Sequence, residues 1–281
     1  MSFLDRIKEC NQHDLTHFRP LYIAQHRLGW VRHDMAQRLG AYPQVFEVRT
    51  ESVCLNPDLD SFEARSDAVR LVLEELRDNG AIPGWRDEPY PVTTSFGAPP
   101  LMQIERAAVP CLGMRAFGVH MNGFVRNGND YMMWIARRAR DKPTFPGMLD
   151  NMVAGGMPIG ISLRENLVKE CAEEAGIPAH LAEHALCTGA ISYCKEVEEG
   201  LKPDVQFVCD LELPADFEPR AVDGEVEAFY LWPIEKVMDV VSNTSDFKFN
   251  CTLVIIDFLV RRGFIAPGDA DYVDIIRGLR Q

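Results

Sequence analysis

Residues 150–178 constrain this chain more strongly than any other part of it. The segment reads DNMVAGGMPIGISLRENLVKECAEEAGIP. Ser162 and Glu165 form the serine-x-x-glutamate pattern of a capping box, in which each side chain can bond to a backbone amide at the start of a helix. Gly176 is the residue type that commonly follows the last turn of a helix. The segment therefore predicts a helix from residue 163 to residue 175, with Glu165 as a structural cap.

Three acidic residues of this helix, Glu170, Glu173 and Glu174, occupy positions i, i+3 and i+4. Residues at these spacings are neighbours on a helix surface, with Cβ atoms about 5–6 Å apart, so their carboxylates can converge on one ion or a close pair. Only Lys169 lies beside them as a local counter-charge. Carboxylate oxygens suit Mg²⁺ or Mn²⁺, which keep several waters and bridge substrate phosphates. We therefore expect a divalent metal here, in preference to a merely solvated helix face.

Composition and charge limit the partners that the chain can have. With 281 residues, it is long enough for one large domain or two modest ones. Its formal net charge of -13 opposes binding to nucleic acid and to anionic membranes. The N-terminal sequence MSFLDRIKECNQHD carries charges throughout and predicts an amphipathic helix, not a signal peptide. We therefore expect a soluble, cytoplasmic protein.

The cysteines support the same expectation. There are eight of them, and none forms a Cys-x-x-Cys pair. Most lie in apolar runs such as QFVCDLEL. This distribution is typical of reduced thiols in the core of a cytosolic protein.

The sequence around the glutamate helix predicts a sheet. AFGVHMNGFV and DYMMWIARRA predict two strands joined by a hairpin, because the intervening RNGND contains the Asn-Gly pair of a tight turn. MVAGG, AISYCKE, DVQFVCDLEL and VEAFYLWPI predict further strands, and NCTLVIIDFLVRRG predicts a buried helix that ends at Gly263. The fold class is therefore α+β.

The first part of the chain mixes helices with short strands. SDAVRLVLEELRDNG predicts a helix with Ser66 as its N-cap and Gly80 at its stop position. AIPGWRDEPYPV, rich in proline and glycine, predicts a loop. Near residues 113–117 the sequence pattern changes from this mixture to the run of predicted strands. We therefore divide the chain into a smaller α+β N-terminal accessory domain, residues 1–115, and a second domain, residues 116–281.

The stretch GGMPIGISLRENLVKECAEEAGI resembles the Nudix box, G-x5-E-x7-R-E-U-x-E-E-x-G-U, in which U is a bulky apolar residue. Residues 169–177 match its second half, except that Lys169 replaces the arginine. Ile161 stands where the box has its early glutamate. The same departures occur in a Nudix subgroup linked to thiamine pyrophosphokinase, which the chain also resembles at PGMLDNMVAGG, GVHMNGFV and WRDEPY.

The resemblance implies a Nudix fold, an α-β-α sandwich around a mixed sheet, in residues 116–281. It assigns metal binding to the helix acids and, through a backbone carbonyl, to the preceding glycine pair: Glu170, Glu173, Glu174, Gly155 and Gly156. The three glutamates are thereby the expected catalytic residues, with Mg²⁺ or Mn²⁺ as cofactor. Members of the subgroup are thought to hydrolyse thiamine diphosphate, or oxidised forms of it, to the monophosphate. A small-molecule diphosphate is therefore the expected substrate.

A fourth catalytic acid is expected from a later loop, because members of the family often take a further glutamate as ligand or general base. We prefer Glu225, since an acid after Asp-Gly at a strand start suits the rim of a cleft. The other candidates in these loops are Glu196, Glu198, Glu199 and Glu227.

Five further residues are predicted to bind the substrate. Arg138 and Lys142, from the dense basic run of the chain, are expected at the terminal phosphate. Lys169 is expected to steady the glutamates, although lysine lacks the planar fork of arginine. Trp85 is predicted to stack on a flat ring of the substrate, with half-buried packing as its alternative role. Asn151 is predicted to hold polar atoms of the substrate, or merely to fix a turn.

Two other functions remain open at this stage. One is a Nudix hydrolase that acts on a nucleoside diphosphate linked to another moiety. The other is a non-catalytic, ligand-sensing Nudix module, which the altered first half of the box favours slightly. The sequence also leaves open whether the chain forms a homodimer.

Overall fold

The N-terminal part of the protein is built on a four-stranded sheet and one long helix, in a computed structural model that describes residues 2–281. Its helices are α1 (Phe3–Cys10), α2 (His33–Leu39) and α3 (Phe62–Asp78). Its strands are β1 (Phe18–Ile23), β2 (His26–Arg32), β3 (Phe46–Val48) and β4 (Val53–Leu55), in the order β2-β1-β4-β3. A separate hairpin of β5 (Pro89–Val92) and β6 (Met102–Glu105) packs against α3.

Two predictions for this part are wrong in detail. The helix starts one turn earlier than expected, because Ser61 caps it by accepting a hydrogen bond from the Ala64 amide. Ser66 lies inside the helix and donates to the Phe62 carbonyl instead. Residues 89–92, predicted as part of a loop, form β5, since their partner β6 lies beyond the reach of local signals. The stop at Gly80, which has a φ of 74°, is as predicted.

The second part is built on a seven-stranded mixed sheet. Its strands are β7 (Phe117–Asn127), β8 (Asp130–Arg138), β9 (Leu149–Asn151), β10 (Val153–Gly156), β11 (Leu186–Ser192), β14 (Val205–Glu212) and β15 (Val226–Pro233). The main path is β11-β14-β7-β8-β15, with β10 on β7 and β9 on β8; β14 and β7 are parallel. The small hairpin β12 (Lys195–Val197) and β13 (Gly200–Lys202) lies between β11 and β14 in sequence.

Helices cover both faces of this sheet, so the predicted α+β class and α-β-α sandwich are confirmed. They are α4 (Leu163–Ala175), α5 (Ala179–Ala182), α6 (Ile234–Asn243), α7 (Phe249–Arg261) and α8 (Tyr272–Gly278). On one face, Leu167 and Cys171 of α4 pack on Met121. On the other face, α7 packs on β7 and α1 packs on α7 and α8. Helix α1 therefore packs with the helices at the end of the chain, although it precedes the N-terminal sheet. The division into residues 1–115 and 116–281 remains a prediction.

One cysteine pair departs from the expectation of reduced thiols. Cys187 on β11 and Cys209 on β14 are directly opposite each other and form a disulfide. Residues opposite each other on antiparallel strands bring their side chains together, and the spacing of cysteines along the chain does not reveal this. Four of the six free cysteines, Cys10, Cys111, Cys171 and Cys251, are buried as predicted. No helix within residues 2–281 is long and apolar enough to cross a membrane.

Candidate active site

Helix α4 begins and ends where the sequence predicts. The Glu165 amide donates to Ser162 Oγ at 3.2 Å, and the Ser162 amide donates to Glu165 Oε2 at 3.0 Å, which completes the capping box. Gly176 ends the helix in the left-handed conformation, with a φ of 63°. Glu165 is therefore a structural cap. The capped ends fix the residues of α4 relative to the glycine pair on β10.

Glu174 is buried beneath the sheet edge, with 8% of its surface exposed. Its Oε2 accepts a hydrogen bond of 2.8 Å from the Ala154 amide of β10. Its Oε1 has no hydrogen bond to any of residues 2–281. Burial raises the pKa of Glu174 well above its usual value, and the charges of Asp150 and Glu170 raise it further. A carboxylate in this position is stable only beside a positive charge.

Glu170 lies one helical turn from Glu174 and packs closely against the glycine pair. A Cβ atom built on Gly155 would lie 2.3 Å from Glu170 Cδ, so any larger residue there would displace the carboxylate. Burial raises the pKa of Glu170, and the charge of Lys169 opposes this rise. The Gly156 carbonyl, also a predicted ligand, accepts a hydrogen bond of 2.8 Å from Asn166 Nδ2.

Glu173 points into solvent, unlike the other two glutamates. Its side chain is 48% exposed and accepts a hydrogen bond of 2.6 Å from Lys169 Nζ. Lys169 lies 3.5 Å from Glu170 Oε1 as well, so it bridges the two acids. The acids that the structure brings together at the glycine pair are thus Glu170 and Glu174, and a metal-binding role for Glu173 stays a prediction.

Glu225 lies on a loop that meets the end of α4. Its loop is tied to the end of α4, because the Asp223 amide donates to the Glu173 carbonyl at 3.2 Å. The negative charge of Glu225 contributes to the raised pKa of both Glu170 and Glu174. Burial pushes the pKa of Glu225 itself upward, but its ion pair with Lys142 and the charges of Arg138 and Arg106 together lower it below its usual value. Glu225 and Lys142 are therefore beside the acid pair, and Lys142 is already paired.

The other predicted substrate-binding residues have partners within the protein. Arg138 Nη1 donates to Asp150 Oδ2 at 2.8 Å, and its Nη2 donates to the Thr144 carbonyl. Asn151 is buried, with its Oδ1 2.8 Å from His120 Nδ1. The Trp85 indole donates to Asp87, and Arg77 covers its ring. These contacts give each residue a structural role, and their substrate-binding roles stay predictions.

Two residues of the N-terminal part, neither of them predicted from the sequence, approach the glycine pair. A Cβ atom on Gly156 would lie 1.6 Å from Tyr90 Oη and 3.7 Å from Arg106 Cζ. Strand β5 also bonds directly to the loop before α4, because the Ile159 amide donates to the Pro89 carbonyl at 2.9 Å. The resemblance at WRDEPY, which ends at Tyr90, was the one signal for this contact.

A separate buried group, His120, Asp150 and Cys251, has its potential ligand atoms within 4.8 Å of one another. The Cys251 thiol donates to Asp150 Oδ1 at 2.7 Å, and burial raises the pKa of Cys251 well above its usual value. Arg138 and Lys248 both face Asp150. Because these cations already neutralise Asp150, this group suits a divalent ion less well than Glu170 and Glu174 do.

The acid pair fits a divalent cation on three observations. Both carboxylates are largely buried, Glu174 Oε1 is free of hydrogen bonds within residues 2–281, and a Cβ on Gly155 would fill the space at Glu170. All the donors are oxygens, which hard ions such as Mg²⁺ and Mn²⁺ prefer. A capped helix with two such acids, packed on a mixed sheet beside a glycine pair, fits the class of metal-dependent phosphohydrolases.

Comparisons with known proteins agree with this class. Nudix hydrolase 20, chloroplastic, and Nudix hydrolase 24, chloroplastic, both from Arabidopsis thaliana, are each 44% identical to the chain, over 99% of it and 77% of their own length. A family model described as a domain of unknown function, DUF4743, matches residues 2–116. A solved MutT protein from Methanosarcina mazei is 18% identical, with a TM-score of 0.41, over 54% of this chain and 96% of that one. The chain belongs to the Nudix hydrolase family.

The comparisons settle two earlier expectations. The prediction of a Nudix-type hydrolase is confirmed by the two plant relatives. The prediction of a cytoplasmic location is wrong, because both of these relatives are named as chloroplastic. The N-terminal sequence carries no hydrophobic segment of the secretory type, and this feature alone was a poor guide to the compartment.

Proposed function

We propose that the protein is a divalent-metal-dependent hydrolase of thiamine diphosphate, or of an oxidised analogue, that yields the monophosphate. The observation that carries the metal-dependent part is the acid pair Glu170 and Glu174, buried against the glycine pair without a cation of the protein to neutralise Glu174. The substrate class is supported by the subgroup resemblance at GVHMNGFV and WRDEPY. The second of these stretches contains Tyr90, which reaches the glycine pair.

Glu170 and Glu174 would hold Mg²⁺ or Mn²⁺, together with a backbone carbonyl of Gly155 or Gly156. When bound, such an ion neutralises the diphosphate oxygens and lowers the pKa of a bound water. Glu225 is our candidate general base, because its loop is bonded to the end of α4 through the Asp223 amide. Lys142 holds that carboxylate toward the cleft through their ion pair. Lys169 orients Glu170 from the solvent side.

The test is phosphate release from a panel of diphosphates in the presence of Mg²⁺. The panel contains thiamine diphosphate, its oxidised forms, ADP-ribose and a nucleoside diphosphate sugar. We expect turnover of the thiamine compounds. We expect Glu174→Gln to lose about 10³-fold in kcat/KM, because a metal contributes several kcal/mol and each 1.4 kcal/mol is about tenfold. Glu183→Gln, a change at an exposed glutamate, is the matched control and should retain full activity.

Other outcomes would redirect the proposal. Preference for ADP-ribose or the nucleotide sugar would retain the Nudix chemistry and replace the substrate. Tight binding of one diphosphate without turnover, in a folded protein supplied with Mg²⁺ and Mn²⁺, would favour the ligand-sensing module.

A further inference from the structure

The positive side chains near the acid pair are mostly occupied by the protein itself. Arg138 is held by Asp150, Lys142 by Glu225, and Lys169 by Glu173. A diphosphate adds several negative charges to those of Glu170, Glu174 and Glu225, which already act on one another. Beyond the metal, its binding is favoured by a protein cation with donors that the protein leaves unused.

Arg106 is such a cation. Its Nη1 donates to Glu88 Oε2 at 2.7 Å, and its Nε and Nη2 have no hydrogen bond to any described residue. Its side chain is 48% exposed. An arginine fork with two unused donor groups matches phosphate oxygens in geometry and in charge.

Arg106 is also held at the correct place. It directly follows β6, and the hairpin of β5 and β6 bonds to the loop before α4 through Pro89 and Ile159. Its Cζ would lie 3.7 Å from a Cβ on Gly156. Burial raises the pKa of Glu225, and the charge of Arg106 helps Lys142 and Arg138 to lower it. Arg106 therefore lies at the glycine pair, and its charge acts on Glu225.

Tyr90 packs beside Arg106 at the same place. The residue is 4% exposed, yet its hydroxyl has no hydrogen bond to any of residues 2–281. Cζ of Arg106 lies 5.7 Å from the centre of its ring, within the range of a cation–π contact. The hydroxyl therefore keeps its donor available at this edge, where a ligand oxygen would accept from it.

We propose that Arg106 binds a phosphate of the diphosphate substrate through its unused donors, and that Tyr90 positions the guanidinium and donates its hydroxyl to the same phosphate. This inference rests on the proposed function and deepens it. The segment that matches a domain of unknown function then supplies part of the substrate site of the Nudix enzyme.

The experiment compares Arg106→Ala with Arg70→Ala in the full chain. Arg70 is a matched control, because it is 52% exposed and pairs with an acid on α3. We expect Arg106→Ala to raise KM for the diphosphate on the order of 10- to 100-fold, the usual effect of losing a charge-assisted hydrogen bond. Arg106→Lys should fall between it and the wild type, since lysine retains the charge without the fork. Tyr90→Phe, which preserves the ring, should raise KM by about fivefold.

Calorimetric binding of inorganic diphosphate with Mg²⁺ separates this inference from the proposed function. Weaker binding by Arg106→Ala alone supports Arg106 even when the wild type turns over none of the panel, which would refute only the proposed function. Equal KM and equal diphosphate affinity in Arg106→Ala and Arg70→Ala would overturn the inference while the hydrolase activity stands. A wild type that neither binds nor cleaves any diphosphate would overturn both.

Discussion

The buried carboxylates on the two sides of the seven-stranded sheet have opposite surroundings. On the α7 side, Asp210 accepts hydrogen bonds from Arg261 and Asn122, and Asp257 accepts from Arg261 at 2.6 Å and from Arg280 at 2.6 Å. On the α4 side, Glu174 has one backbone amide as its partner. Burial of an acid therefore does not by itself mark a functional site. The distinguishing feature is a buried carboxylate that the protein has left without a cation.

The largest expected effect comes from removing one charge on each side. Asp210→Asn leaves Arg261 without its main partner, and removal of one member of a buried ion pair costs about 3–5 kcal/mol. Glu174→Gln removes an uncompensated charge, so in metal-free buffer it should leave the free energy of unfolding unchanged or increase it. Urea denaturation at pH 7 with a chelator measures both. Equal destabilisation by the two variants would remove the distinction between the two sides.

His120, on the side of the neutralised acids, should make stability depend on pH. Burial, followed by the charge of Lys248, lowers its pKa to about 4 from the usual 6.5. The unfolded chain therefore binds more protons between pH 4 and 6.5, and the free energy of unfolding should rise with pH across this window and level off above it. The gain is about 3 kcal/mol at 1.36 kcal/mol per pKa unit.

The measurement for His120 is a series of urea titrations from pH 4 to 7.5. His120→Asn should lose the rise that this residue contributes. His180→Asn, at an exposed histidine, is the control and should follow the wild type. A wild-type curve as flat as that of His120→Asn would contradict a neutral, buried imidazole.

Metal should stabilise only the side of the uncompensated acids. At a Mg²⁺ concentration 100 times its dissociation constant, binding to the folded state adds about 2.7 kcal/mol to the free energy of unfolding. Glu174→Gln should lose most of this gain, whereas Asp150→Asn should retain it even though it lowers the baseline. Thermal melts with Mg²⁺ and with chelator test this. If the Mg²⁺-dependent stabilisation disappeared in Asp150→Asn and persisted in Glu174→Gln, the metal site would instead lie at Asp150.

The smallest effect is expected at the two capping boxes. Ser162→Ala in α4 and Ser2→Ala in α1 each remove an N-cap, at a cost of about 1 kcal/mol. Only the first should also weaken the response to Mg²⁺, because α4 carries the acid pair. Loss of the Mg²⁺ response in both variants would indicate that it reports general stability.

The sequence predicted the features that depend on near neighbours. The capping box, the Asn-Gly hairpin and the one-turn spacing of Glu170 and Glu174 are local, and each has one stable geometry. The orientation of α4 about its axis is not local. The apolar Ala172 is exposed, whereas the charged Glu174 is buried. This orientation separates Glu173 from the other two acids.

Contacts between distant segments were beyond the sequence pattern. The disulfide of Cys187 and Cys209 depends on strand register, which neither segment specifies alone. The approach of Tyr90 and Arg106 to Gly156 depends on how β5 meets the loop before α4. Arg138 seemed free in the sequence because its partner Asp150 comes 12 residues later on another strand.

The packing of α1 has a consequence for the order of folding during synthesis. Cys10 bonds to the Phe249 carbonyl, 239 residues further along, and Ile7 packs against Gly278. At about 5–20 residues per second, the ribosome needs tens of seconds to supply these partners. The apolar face of α1 is therefore exposed through most of translation, and we expect chaperones to bind the nascent chain at this helix.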